Sequence, residues 1–256
     1  MPQPTLAKRA IAELIGTFVL VFLGTGAVVT VVTRLGFLGP SGDKTTGLVP
    51  GGLLLIGLAF GFAVLVMIYA FGHISGTHIN PVVSICLWAT GRFPAKDMVT
   101  YIVMQLIGAT LASLVVAAIW GQAAIDAGLG ITLPGTGISY GVAILVELVT
   151  TAFLVLVIWG SAVDSRAPSG FAGVAIGIVV AADIMVTGPI AGASMNTARS
   201  FGPFLADTIL GAKNVDGAAI ADWAKFPIYI IGPIVGGLIA AFVYDYISGI
   251  KTKAAE

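Results

Sequence analysis

An all-α membrane protein is what this sequence encodes: six spanning helices and two re-entrant half-helices, arranged as an inverted repeat of three plus three. Three observations lead there. Of the 256 residues, 58% are hydrophobic and only 9% are charged. A soluble domain carries roughly a quarter charged residues, so this chain cannot cover itself with a water-compatible surface and belongs in lipid. Several apolar stretches reach the length of about twenty residues that one bilayer crossing needs. Finally, the second half of the chain repeats landmarks of the first in the same order and at the same spacing.

Taken in chain order, the predicted spans cover 9–32, 51–71, 98–120, 138–161, 171–189 and 226–248. The first follows Lys8 and Arg9, yet its apolar run is too long for a signal peptide and lacks a small-residue cleavage site. Orientation follows from the basic residues near span ends. Lys8, Arg9, Arg92, Lys96, Arg166, Lys251 and Lys253 gather on one side, and Arg34, Lys44, Lys213 and Lys225 on the other. The first side is expected to be cytoplasmic, with both termini inside and the protein in the cell (plasma) membrane. Net charge is zero, so no nucleic acid or other strongly charged partner is implied. Cys86 is the single cysteine, which excludes an intrachain disulfide. Nothing resembles a nucleotide loop, a metal-ligand cluster or a nucleophile elbow, so the reading is a non-enzyme without cofactor or metal.

The whole chain, 1–256, reads as one membrane-spanning domain whose repeats cover approximately 7–125 and 138–250. Glu13 begins Glu-Leu-Ile-Gly-Thr-Phe-Val-Leu-Val, and Glu147 begins Glu-Leu-Val-Thr-Thr-Ala-Phe-Leu-Val. Gly57 and Gly61 lie 23 and 19 residues before Asn80, as Gly173 and Gly177 do before Asn196. Tyr101 precedes Gly108 by seven residues, and Tyr229 precedes Gly236 by seven. Three spans per half put the second half upside down relative to the first, and folds built this way place their functional site at the midplane. The glycine pairs are small-xxx-small patterns that let helices approach closely.

Two short segments carry the chemistry. After the second span come Gly72-His73-Ile74-Ser75-Gly76-Thr77-His78-Ile79-Asn80-Pro81-Val82, and after the fifth Gly188-Pro189-Ile190-Ala191-Gly192-Ala193-Ser194-Met195-Asn196-Thr197-Ala198-Arg199. The apolar tails that follow, 83–91 and 200–207, are too short to cross a bilayer and read as re-entrant. Irregular backbone at membrane depth is tolerated only inside protein or beside a wet cavity. Asn80 and Asn196 suit the N-cap position, where the side-chain oxygen accepts from a backbone N–H. Pro81 suits the first helical position. With the oxygen used in capping, the amide NH2 is left to donate toward a pore. Two helix N-termini, each carrying roughly half a positive charge, would repel cations and orient a water oxygen toward both Asn residues. A single Asn-Pro is an ordinary cap. Two, each after a Gly-rich loop within an inverted repeat, mark a shared site.

On Ser75-Gly76-Thr77-His78-Ile79-Asn80-Pro81 and Gly192-Ala193-Ser194-Met195-Asn196-Thr197-Ala198-Arg199-Ser200-Phe201-Gly202-Pro203, the sequence resembles the aquaporin (major intrinsic protein) family over nearly its whole length. The stretch from Asp164 to Gly173 is similar to the archaeal branch in particular. The resemblance implies a homotetramer with a pore in each subunit, passing water, with glycerol and other small neutral solutes as further candidates. It implies a filter of Phe60, Ile184, Ala193 and Arg199. It also implies a ladder of carbonyl acceptors on Gly76, Thr77, His78, Gly192, Ala193 and Ser194, with Glu13 and Glu147 bonding the loops from behind. The family usually reads Asn-Pro-Ala twice. Here the first copy ends in Val82, and the second, Asn196-Thr197-Ala198, has threonine in place of proline, which is expected to loosen the junction opposite Pro81.

Strict water channels of that family place a His where this chain has Ile184. Glycerol facilitators place Trp, Gly and Phe around the Arg and an Asp after it, where this chain has Phe60, Ile184, Ala193 and Ser200. The filter matches neither type and is expected to be wide and apolar, with Arg199 as a fixed charge that opposes cations. His73 reads as a satisfied structural histidine rather than a pH sensor, His78 as contributing its carbonyl acceptor to the ladder, and Cys86 as packing. Asp183 beside Ile184 has no clear role. A secondary transporter would need coupling-ion ligands at the midplane, where this chain offers neutral Asn amides. An enzyme would need an activated nucleophile or a metal site. A purely structural junction protein of this fold would show negligible permeability.

Overall fold

The computed structural model describes residues 4–35, 50–214 and 216–250. Lys44, Lys251 and Lys253 lie outside them. Among the described residues there is no β-sheet, and six helices are long and apolar enough to cross a membrane. In chain order the helices are α1 (Leu6–Thr33), α2 (Pro50–Ser75), α3 (Pro81–Ala89), α4 (Ala95–Trp120), α5 (Gln122–Asp126), α6 (Tyr140–Ile158), α7 (Ala172–Ala191), α8 (Thr197–Leu210) and α9 (Ile228–Ser248). Helices α1, α2, α4, α6, α7 and α9 are the expected spans. The short α3 and α8 are the expected half-helices, each beginning directly after its Asn.

Local chemistry sets the boundaries. Thr5 and Ser139 cap α1 and α6 by accepting from the N–H groups of Lys8 and Val142, as N-cap hydroxyls do. Helix α7 stops at Gly192, whose φ of 90° only glycine adopts without strain. Helix α6 ends in a π turn, Trp159–Val163, a distortion often found beside functional sites.

Within each half the same pairs of spans pack together. Helix α1 lies on α2 and α4, α6 lies on α7 and α9, and α2 and α7 join the halves. Glycines make these crossings close. A Cβ at Gly61 would sit 2.5 Å from the Gly177 carbonyl oxygen, and one at Gly177 would sit 2.6 Å from that of Gly61. The repeated Gly108 and Gly236 serve the other crossings, pressed against the Leu14 and Leu148 carbonyls.

The polarity is arranged for lipid. Large apolar side chains on the spans, among them Ile11, Phe62, Leu145, Ile178, Val186 and Ile239, are exposed, while Glu13, Gln105, Glu147 and Asp183 are buried. At the end of the bundle where α1 begins, Arg9 pairs with Asp97 at 2.8 Å, Arg92 with Asp245 at 2.6 Å and Arg166 with Asp164 at 2.6 Å. Three of the basic residues expected on that side are therefore neutralised by neighbours rather than left free.

Candidate functional site

Each half-helix is preceded by a loop whose backbone leaves the common regions. In the first, Gly76, Thr77 and Ile79 have φ of 84°, 49° and 41°. In the second, Gly192, Ala193 and Met195 have φ of 90°, 45° and 52°. Positive φ at Thr, Ile, Ala and Met is strained and persists only where the surroundings impose it.

Two buried carboxylates impose it. Glu13 of α1 accepts from the His78 N–H (2.9 Å) and the Ile79 N–H (2.6 Å). It also accepts from the Ser75 hydroxyl (2.7 Å) and the Gln105 amide (2.8 Å). Glu147 of α6 accepts from the Ser194 N–H (2.8 Å) and the Met195 N–H (2.9 Å). Two tyrosines hold the loop entrances: Tyr101 donates to the Ser75 carbonyl at 2.8 Å, and Tyr229 to the Ala191 carbonyl at 3.0 Å. A hydroxyl chain adds to the second loop, in which Thr132 meets Ser200 and Ser200 meets Ser194, both at 2.6 Å.

Both Asn residues cap as expected. Asn80 Oδ1 accepts from the Val82 N–H at 2.9 Å, and Asn196 Oδ1 accepts from the N–H groups of Ala198 (3.0 Å) and Arg199 (3.2 Å). Their amides differ from the expectation. Asn80 Nδ2 donates to the Met195 carbonyl and Asn196 Nδ2 to the Ile79 carbonyl, each at 2.8 Å. The NH2 groups therefore stitch the two loops together, and only the second hydrogen of each remains for the cavity. Pro81 opens α3. Val82 is fully buried, and a Cβ at Gly237 of α9 would lie 2.7 Å from it. Thr197 does not leave a gap: its hydroxyl donates to the Tyr229 carbonyl at 2.9 Å.

A cavity of roughly 340 Å³ runs between the loops. Arg92 and Ala162 line one part of its wall, Asn80 and Asn196 another, and Phe60, Ile184, Ala193 and Arg199 a third. Gly76, Thr77, His78, Ala193 and Ser194 line it too. Gly192, grouped with them from the sequence, is not on the wall, because its left-handed turn ends α7 before the loop reaches the cavity.

Arg199 is buried, with its guanidinium carbon 4.8 Å from the centre of the Phe60 ring, a cation–π contact. Its Nη1 donates to the Gly130 carbonyl at 2.9 Å. The ring has space only because residue 24 of α1 is glycine, where a Cβ would stand 2.1 Å from it.

The sequence reading missed Gly24 and Gly130, and it missed the supporting roles of Ser75, Gln105, Thr132 and Ser200. Gly128-Leu129-Gly130 was the available signal for the Arg199 acceptor, and the repeated Tyr101 and Tyr229 spacing was the signal for the loop braces. His78 does more than lend a carbonyl: its Nδ1 lies 3.0 Å from the Ser84 hydroxyl, and its ring packs edge-on against Phe93 and Tyr101. His73 is exposed rather than satisfied in the core. Cys86 is buried among core residues. Asp183 is buried in α7, away from the cavity wall, with Oδ2 unpartnered among the described residues.

The family model of the major intrinsic proteins matches residues 1–244. The probable aquaporin AqpM of Archaeoglobus fulgidus is 49% identical over 249 residues, 95% of this chain and 98% of that protein. The aquaporin AqpM of Methanothermobacter marburgensis is 48% identical over the same shares. Among solved structures, the aquaglyceroporin from Plasmodium falciparum superposes with a TM-score of 0.76 at 28% identity, covering 95% of this chain and 97% of that one. An FNT family ion channel, at 16% identity and a TM-score of 0.57, shares the fold alone.

Proposed function

The chain belongs to the major intrinsic protein family, and from that premise we propose that water crosses it in single file between Asn80 and Asn196, while ions and protons are refused. The protein is a multi-pass membrane protein and a passive channel for water and small solutes, not an enzyme.

One observation carries the mechanism: both capped Asn residues stand on the wall of one cavity that also reaches Arg199. Each Asn keeps one amide hydrogen beyond the bond to the opposite loop. The N-termini of α3 and α8 add partial positive charge at the same point. A water oxygen accepts from both amides there and turns its own hydrogens outward, so no chain of hydrogen bonds carries a proton through. On either side, carbonyls of 76–78 and 193–194 accept from the other waters. Arg199 supplies a fixed charge against cations.

The filter decides what accompanies water. Ile184 and Ala193 give no donor and little bulk opposite Arg199, so glycerol and other small neutral solutes are expected to pass as well. The repeats 7–125 and 138–250 act together as one pore. Four copies assemble as a tetramer in the plasma membrane, with the Arg9, Arg92 and Arg166 face and both termini in the cytoplasm.

Stopped-flow light scattering on proteoliposomes tests the proposal. Fast shrinkage under a sucrose gradient, with a low activation energy, and re-swelling under a glycerol gradient are expected. Rates equal to those of empty liposomes would remove the water channel.

A further inference from the structure

Thr197 stands where the family usually has proline, and α9 carries Pro233 where α4 carries Gln105. Both lie four residues after the matching tyrosines, Tyr229 and Tyr101. The two departures meet in space. Pro233 has no N–H and cannot donate to the carbonyl four residues earlier, that of Tyr229. The Thr197 hydroxyl donates to that carbonyl at 2.9 Å. In the first half the arrangement is reversed: Pro81 opens α3 with no hydroxyl to give, and Gln105 has an N–H like any other residue of its helix.

We propose that Thr197 is a positioning residue for the pore, its hydroxyl latching the start of α8 to the carbonyl that Pro233 leaves open and so fixing Asn196 against the opposite loop. The inference rests on the channel reading above. Tyr229 then grips the second loop at both ends. Its phenol donates to Ala191 where α7 stops, and its carbonyl receives Thr197 where α8 starts. Between the two grips lie the strained Ala193 and Met195 and the cap Asn196. In the first loop the start of α3 is stiffened by the fixed φ of Pro81. In the second, a hydrogen bond does the same work, and it needs a proline in the span as much as a threonine in the half-helix.

The test is a double-mutant cycle on the full chain in proteoliposomes. Water flux is read by light scattering, and proton leak by an internal pH dye under an imposed potential. Thr197→Ser keeps the donor and is expected to match the wild type in both readings. Thr197→Val keeps the shape but strands the carbonyl. It is expected to raise the ratio of proton leak to water flux about fivefold, the factor set by a lost hydrogen bond of ~1 kcal/mol. Pro233→Ala returns an N–H to the Tyr229 carbonyl, and on that background Thr197→Val is expected to change the ratio by less than about twofold. An equal effect of Thr197→Val on both backgrounds overturns the latch, as does a Thr197→Ser variant as leaky as Thr197→Val. If the wild type passes no water, the channel reading fails instead. The same variants scored by thermal unfolding in detergent then decide the latch, with coupling between the two positions supporting it and additivity overturning it.

Discussion

The two re-entrant loops have the same backbone and different braces. Positive φ recurs at matching positions, each Asn caps its own half-helix, and each Asn amide crosses to the other loop. The supports are not shared. Glu13 gathers four donors, two of them from the Ser75 and Gln105 side chains. Glu147 gathers two, because Ala191 and Pro233 stand where Ser75 and Gln105 stand in the first half. The second loop makes up the difference with the Thr132, Ser194 and Ser200 hydroxyls and with the Thr197 hydroxyl, bonded to the Tyr229 carbonyl of α9. The pore fixes the loop geometry, while the braces behind it are free to vary so long as every buried polar group finds a partner.

That contrast breaks or holds on the two glutamates. Each buried donor left without an acceptor costs about 1–3 kcal/mol, so Glu13→Ala, with four donors, is expected to lose about twice the stability that Glu147→Ala loses. Thermal unfolding in detergent measures both. A larger loss for Glu147→Ala would mean that the hydroxyl chain and the Thr197 contact depend on Glu147 rather than supplementing it.

The pore walls differ as the loops do. Arg199, Phe60 and Ile184 correspond in the repeat to Val83, Ile176 and Ile68, and all six line the cavity. Among these six, charge is therefore confined to Arg199, at the proposed constriction of a pore whose backbone is nearly symmetric. Gly24→Ala tests what holds that constriction. The new Cβ would stand 2.1 Å from the Phe60 ring, an overpacking of about 1–3 kcal/mol that drives the ring off Arg199. A severalfold drop in water flux is expected. Ile184→His sharpens the same contrast with a smaller effect. A ring donor opposite Arg199 narrows the opening, so glycerol flux should fall relative to water by about tenfold, the equivalent of ~1.4 kcal/mol. An unchanged ratio would place the selecting constriction elsewhere.

Much of this was legible because lipid allows few solutions. Runs of about twenty apolar residues and Asn beside a Gly-rich loop constrain the fold on their own, and the spans and half-helices fell where they were read. What stayed hidden depends on contacts between distant segments. Nothing near Gly24 says that a ring from α2 fills its missing Cβ. The Gly128-Leu129-Gly130 run marks a special backbone, but not that the Gly130 carbonyl meets Arg199, 69 residues on. Thr197 looked like a defect because its meaning lies in Pro233. The Asn amides looked free because the carbonyls of Ile79 and Met195 turn toward them only in the strained loop conformation.

A third carboxylate braces a loop with the help of a charged partner. Asp164, just beyond α6, accepts a backbone N–H from Arg166 at 3.0 Å, much as Glu13 and Glu147 accept theirs, but its partner is a largely exposed arginine. It also accepts from the Arg166 guanidinium at 2.8 and 2.6 Å and from the Tyr244 hydroxyl at 3.1 Å. The Arg166 hydrogen bonds hold its carboxyl well below the usual carboxylate range. A depressed folded-state pKa contributes stability that is complete above the unfolded value of about 4 and is lost as pH falls through the folded value. Arg166→Ala is therefore expected to lower the thermal midpoint slightly at pH 7 and to leave water flux unchanged. The difference from the wild type should shrink as pH falls below about 4. A remainder should persist, because Arg166 also donates to the Ser248 carbonyl at 3.1 Å, a group that does not titrate. A gap between the two proteins that stays constant down to the most acidic pH would mean that the loop is held by that carbonyl alone.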